Sequence, residues 1–79
     1  MRMTKKELLE EIKICAKMEQ HMLDRAWESR DKYDFADSER WCKRRLRYEE
    51  EAQNVYGISY TDVARARNDG FRSVYHDED

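Results

Sequence analysis

The sequence lacks proline altogether, and it has only two glycines and two cysteines among its 79 residues. Proline and glycine are the residues that interrupt helices most often, so their scarcity favours long helices. No stretch approaches the roughly 18 apolar residues of a transmembrane helix, which excludes a membrane span. The basic start is followed by Glu7 and not by an apolar block, so we expect no signal peptide and a cytoplasmic protein.

The sequence is rich in charged residues. Charged residues make up 43% of it, with 16 Lys and Arg against 18 Asp and Glu, and the net charge is −2. Two Trp, five Tyr and two Phe nevertheless indicate a packed fold and not a disordered chain. A chain of this length forms one domain, spanning 1–79, which buries only about 60–65% of the surface of the unfolded chain. We therefore expect a second copy or a partner to complete the thin core.

Helix 1 is predicted at about 5–30. Thr4 and Glu7 match the capping box that begins many helices. Apolar residues then recur on one face, and the pattern fades at the charged segment 28–32. The main stripe consists of Leu8, Ile12, Cys15, Met22 and Ala26, and it is widened by Leu9, Ala16, Leu23 and Trp27.

Helix 2 is predicted at about 35–56, after a break at 33–38 in which Asp34 or Asp37 is the N-cap. Its expected buried line consists of Phe35, Cys42, Leu46, Gln53 and Tyr56. Gly57 suits the left-handed residue that ends a helix. Neither glycine nor proline marks the break before helix 2, so one continuous helix is the alternative.

Helix 3 is predicted at about 60–68, because Ser59 and Asp62 form a second capping-box pattern and Gly70 is expected to close the helix. A short tail, 71–79, follows, with an acidic end. The segment 57–66 resembles the first helix of a helix-turn-helix motif. The nine residues after Gly70 are too few for a recognition helix, so we do not infer the DNA-binding function of that family.

The predicted fold is all-α: an antiparallel helical hairpin with a short third helix across its open end, completed by dimerisation or partner docking. In this register Cys15 lies about two turns from Cys42, roughly 10 Å away, so we expect two free, buried thiols. Glu19 should face Arg45 across the hairpin and form a structural ion pair with it.

The sequence shows no local signature of an enzyme. Glu19 and Glu49 could in principle act as an acid–base pair, but no nucleophile with a base, phosphate loop or metal-ligand set accompanies them. His21 and His76 lie far from any Cys-x2-Cys pattern. We therefore expect no catalysis, no cofactor and no metal.

Two apolar groups lie beside the hairpin core, and the third helix can cover only one of them. Ile14 and Met18 face away from the main stripe of helix 1. Helix 2 carries a second line of apolar residues beside the line that we expect to be buried. Uncovered apolar strips of this kind mark interfaces. The residues predicted at a protein interface are Ile14, Met18, Trp41, Tyr48 and Val55.

A group of cations occupies another face of helix 2: Arg40, Lys43, Arg44 and Arg47. With Trp41 and Tyr48 on its flank, this face could contact phosphate groups or an acidic partner. The net negative charge opposes a nucleic-acid-binding role, so a solvated, salt-bridged face is the simpler interpretation.

The sequence therefore predicts a small, non-catalytic, intracellular interaction protein: an adaptor, regulator or inhibitor that acts through a helical interface and forms a homodimer or docks on a partner. By composition it is similar to small proteins of phages and mobile elements. The second hypothesis is a nucleic-acid-binding regulator that uses the basic face of helix 2.

Overall fold

The computed structural model describes residues 2–76 and contains three helices, α1 (Lys5–Ser29), α2 (Lys32–Asn54) and α3 (Tyr60–His76). Over these residues the fold is all-α, as predicted, and α1 and α2 form the expected antiparallel hairpin. None of the three helices is long and apolar enough to cross a membrane.

The start of α1 follows directly from the sequence. The Thr4 hydroxyl accepts a hydrogen bond from the backbone N–H of Glu7 at 3.1 Å, and the Glu7 carboxylate accepts one from the Thr4 N–H at 3.0 Å. This reciprocal pair satisfies two donors that a helix start leaves free. Five residues of the predicted faces are fully or almost fully buried: Leu8, Ile12, Cys15, Ala16 and Ala26.

The break between α1 and α2 lies earlier than predicted. Arg30 adopts a left-handed conformation with φ of 59°, and Asp31 caps α2 by accepting a hydrogen bond from the backbone N–H of Tyr33. A non-glycine residue in that conformation costs roughly 1–2 kcal/mol, so a sequence pattern favours glycine or asparagine there and does not point to Arg30. The prediction of Asp34 or Asp37 as the cap was wrong.

The buried face of α2 also differs from the predicted one. Leu46 is 51% exposed and Gln53 is exposed, whereas a neighbouring face that includes Arg45 and Glu49 is buried. These two charged residues pair with each other inside the fold, and the predicted apolar line lies at the edge of the buried face. The buried residues of α2 are Ser38, Arg45, Glu49 and Ala52.

The third helix is longer than predicted, because Gly70 lies within it and does not end it. A Cβ atom at residue 70 would lie 2.6 Å from the Cβ of Ala16 and closer still to the backbone carbonyl oxygen of Lys13. Glycine is therefore needed for close packing between α1 and α3. The predicted tail is helical as far as His76, the rest of it lies outside the described residues, and no turn of a helix-turn-helix interrupts α3.

Helix α3 runs alongside α1 in the same direction and does not cross the open end of the hairpin. Val63 packs with Leu8 near the start of both helices, and the Tyr75 hydroxyl donates a hydrogen bond to Asp24 at 3.1 Å near their ends. Helix α3 packs mainly against α1 and meets α2 through long side chains. The apolar core lies where all three helices meet and comprises Leu8, Ile12, Ala52, Ile58 and Val63.

Candidate partner-binding surface

A chain of ion pairs occupies the space between the helices. Arg45 donates hydrogen bonds to Glu19 of α1, at 2.8 Å, and to Glu49 one turn along α2. Arg67 of α3 donates to the other oxygen of Glu49 at 3.1 Å. The predicted Glu19–Arg45 pair is thus confirmed, and the chain of charges extends to all three helices.

Arg45 lies at the centre of this network. The residue is only 7% exposed, its guanidinium lies 5.4 Å from the ring centroid of Phe71, and Nη2 donates to the Cys42 sulfur at 3.6 Å. Burial lowers the pKa of Arg45, but the hydrogen bonds to Glu19 and Glu49 outweigh that effect and hold the pKa above its ordinary value. Arg45 therefore stays protonated, and its hydrogen bonds join α1 to α2.

Both cysteines are free thiols. Cys15 is fully buried, whereas Cys42 is only half-buried, so the prediction of two buried thiols holds for Cys15 alone. Burial raises the pKa of each thiol. Because the thiolate is the reactive form, both cysteines are weak nucleophiles at neutral pH.

We expect a thiol reagent such as DTNB to react slowly with Cys42 in the native protein and with Cys15 only on unfolding. Single Cys15→Ala and Cys42→Ala variants assign each kinetic phase to one residue. A disulfide between the two residues under non-reducing conditions, or equal reactivity of both thiols in the native protein, would contradict the register of the hairpin.

Four of the predicted interface residues lie on the flanks of α1 and α2. Ile14 is 41% exposed, and Met18 is half-buried beside a cavity that Val74 of α3 also lines. Trp41 and Tyr48 are both half-buried, and Tyr48 packs on the apolar core. Their positions on the two helices leave part of each side chain in contact with solvent.

Arg44 lies beside the two aromatic rings on this side of α2. Its guanidinium lies 5.4 Å from the ring centroid of Trp41 and 5.9 Å from that of Tyr48, and it is within electrostatic reach of Glu11 on α1. Ile14 lies one helical turn beyond Glu11, so the helical period places it on the same flank. We call the set Ile14, Met18, Trp41, Tyr48 and Val55 the outer apolar strip.

Val55 lies at the far end of this strip. It is the C-cap residue of α2 and is 57% exposed. Seven-residue spacing places Trp41, Tyr48 and Val55 on one ridge of the helix. Helix α3 approaches α1 most closely at Lys13 and Ala16, and Ile14 and Val55 of the outer apolar strip stay exposed.

The predicted cations form an exposed surface next to the strip. Arg40, Lys43, Arg44, Arg47 and the ring of Tyr48 line a shallow cleft, and we call the four cations the cationic stripe. Arg40 pairs with Asp37 at 3.6 Å and Lys43 with Glu39 at 3.4 Å. Within residues 2–76, Arg44 and Arg47 form no ion pair.

Other exposed apolar residues were not predicted to be so. Trp27 is 61% exposed and stacks edge-on against Phe35, with ring centroids 5.3 Å apart. Helical periodicity predicts Trp27 and Leu46 on buried faces, and both predictions are wrong. Their exposure depends on how the three helices pack, including the orientation of α2 about its own axis. A local sequence pattern does not predict this packing.

The described residues contain no group of three or more His, Cys, Asp or Glu side chains that could hold a metal ion. Comparison of the chain with models of known protein families, with curated proteins and with solved structures found no match. The features of the described residues that bear on function are the outer apolar strip and the cationic stripe.

Proposed function

We propose that this protein is a non-catalytic interaction protein, an adaptor, regulator or inhibitor, that binds another protein chain through the outer apolar strip. When the protein is purified alone, we expect the chain that binds the strip to be a second copy of the same protein. The observation that carries the proposal is the incomplete cover of this strip, in which Ile14 is 41% and Val55 is 57% exposed.

The composition of the strip supports this role. Tryptophan and tyrosine contribute much of the binding energy of protein interfaces, and Arg44 holds both rings on one side of α2. Aromatic rings that are partly fixed before binding lose less side-chain freedom when a partner covers them. Trp41 and Tyr48 thus suit the centre of an interface, with Ile14 at its edge on α1.

Burial of apolar surface supplies the driving force for the proposed association. Burial of apolar surface contributes about 25 cal/mol per Å², so roughly 300 Å² on the strip would contribute several kcal/mol. Association itself costs several kcal/mol in lost translational and rotational freedom. The net affinity of a second copy should therefore be moderate, and it should depend on each large side chain of the strip.

Sedimentation velocity across a range of concentrations tests this proposal. We expect the wild-type protein to form a concentration-dependent dimer, and Ile14→Lys to weaken dimerisation by about tenfold or more, because an apolar contact is replaced by a charge. The matched control is Thr61→Lys, which adds the same charge at an exposed position on α3. Circular dichroism should show equal helicity in all three proteins.

A wild-type protein that stays monomeric at the highest accessible concentration would contradict association with a second copy. Equal dimerisation by the Ile14→Lys and Thr61→Lys variants would show that the dimer interface lies outside the outer apolar strip.

A further inference from the structure

We propose that the cationic stripe and the adjoining aromatic residues of the strip form a docking site for an acidic, amphipathic helix of a partner protein. This inference rests on the proposed function, and it specifies the chemistry of the partner. Carboxylates of the partner would meet the stripe, and its apolar face would cover Trp41 and Tyr48.

The charge of the stripe is only partly neutralised by the protein itself. Asp37 and Glu39 pair with Arg40 and Lys43 at exposed positions, where such pairs contribute little energy. Arg44 and Arg47 form no ion pair within the described part of the chain. Two guanidinium groups one turn apart are therefore available to a carboxylate ligand, and arginine binds that group with two parallel hydrogen bonds.

The position of Arg44 prepares it for binding. Its guanidinium lies against the rings of Trp41 and Tyr48, and this contact restricts the freedom of a long side chain before any ligand arrives. A ligand that reaches Arg44 must also pass over the two rings. A partner with both carboxylates and apolar side chains satisfies these two neighbouring surfaces at once.

The spacing of the stripe fits a helical partner. Its residues lie three, four and seven positions apart, so they form a row about 10 Å long at 1.5 Å per residue. Glutamates three, four and seven positions apart on a second helix form a row of the same length. The two rows can therefore lie side by side, as charged flanks do in paired helices.

The length and surroundings of the stripe favour an acidic protein over a nucleic acid. The stripe is short and bordered by Asp37, Glu39, Glu50 and Glu51 in a chain of net charge −2. A long polyanion would meet repulsion at both ends of the stripe, whereas a short acidic segment would not.

A defined peptide can test the site. The probe is a fluorescein-labelled helical peptide of about 20 residues with leucines on one face and, in its two central turns only, glutamates three and four positions apart beside them. Its control has glutamine in place of every glutamate. Fluorescence anisotropy at low salt should show binding of the acidic peptide, at least about tenfold tighter than binding of the control, and the difference should shrink at roughly 0.3 M salt.

Charge reversal in the protein localises the site. The double variant Lys43→Glu/Arg47→Glu leaves Arg44 and its rings in place, and it should weaken binding of the acidic peptide by about tenfold or more. The matched control is Arg65→Glu/Arg72→Glu, which makes the same change in net charge at exposed positions on α3 and should bind like the wild-type protein. Equal melting temperatures would show that all variants are folded.

Three results would overturn the inference: no binding of the acidic peptide at low salt, equal binding of the acidic and glutamine peptides, or equal loss in the two double variants. Tighter binding of a duplex DNA probe, abolished by Lys43→Glu/Arg47→Glu, would assign the stripe to nucleic acid instead. If the peptide fails to bind while Ile14→Lys still disrupts the dimer, the proposed function stands and only the partner chemistry is wrong.

Discussion

Replacement of Arg45 by methionine should lower the free energy of unfolding by about 3–5 kcal/mol. Methionine fills a similar volume but leaves Glu19 without its 2.8 Å partner and Glu49 with Arg67 alone, at a site where Glu49 is 5% exposed. A buried carboxylate without a partner is strongly destabilising. Urea denaturation followed by circular dichroism measures the effect.

Two further variants separate the network from general effects of charge. Arg40→Met removes an exposed cation from the same helix and should change the free energy of unfolding by no more than about 0.5 kcal/mol. Glu19→Gln in the Arg45→Met background should restore part of the lost stability, because Glu19 is the carboxylate that loses its ion-pair partner, whereas Glu49 keeps Arg67. A loss below about 1 kcal/mol in Arg45→Met alone would show that the network contributes little.

The Gly70→Ala substitution should destabilise the protein by about 1–3 kcal/mol, although alanine is the better helix former by about 1 kcal/mol. The added Cβ would lie 2.6 Å from the Cβ of Ala16 and closer to the Lys13 carbonyl oxygen, which belongs to the backbone and cannot rotate away. Helix α3 must then move away from α1. Valine at the same position should be worse, since it adds two further carbons.

Asn68→Ala is the control for this substitution, because Asn68 is exposed on the same helix. It should leave stability unchanged or raise it slightly through helix propensity. If Gly70→Ala were as stable as Asn68→Ala in the same denaturation experiment, the close approach of the two helices would be wrong.

The helix starts could be predicted wherever the signal is local. Thr4 and Glu7, three residues apart, predict the start of α1. Ser59 predicts the start of α3, where its hydroxyl accepts a hydrogen bond from the Asp62 N–H at 3.2 Å. The start of α2 was misplaced because Arg30 gives no sign of a left-handed residue. Gly70 was mistaken for a helix end because its real role depends on α1, which is distant in sequence.

The candidate site was predictable to a similar degree. The pairing of Glu19 with Arg45 followed from the antiparallel hairpin, and the exposure of the four cations followed from helical periodicity. The contribution of Arg67 and Phe71 depends on the path of α3 alongside α1, and a local pattern does not fix that path. The exposure of Leu46 likewise depends on the rotation of α2 about its axis, which a local pattern does not fix.

The direction of α3 has a consequence for the peptide dipoles of the fold. Because α3 runs parallel to α1 and antiparallel to α2, the positive N-terminal ends of α1 and α3 lie at the same end of the molecule as the negative C-terminal end of α2. Neither α1 nor α2 has a basic residue in its last turn, where such residues usually offset the dipole. The positive ends of α1 and α3 supply that compensation to the C-terminus of α2 from the backbone itself, and the four cations of the stripe lie exposed in the middle of α2.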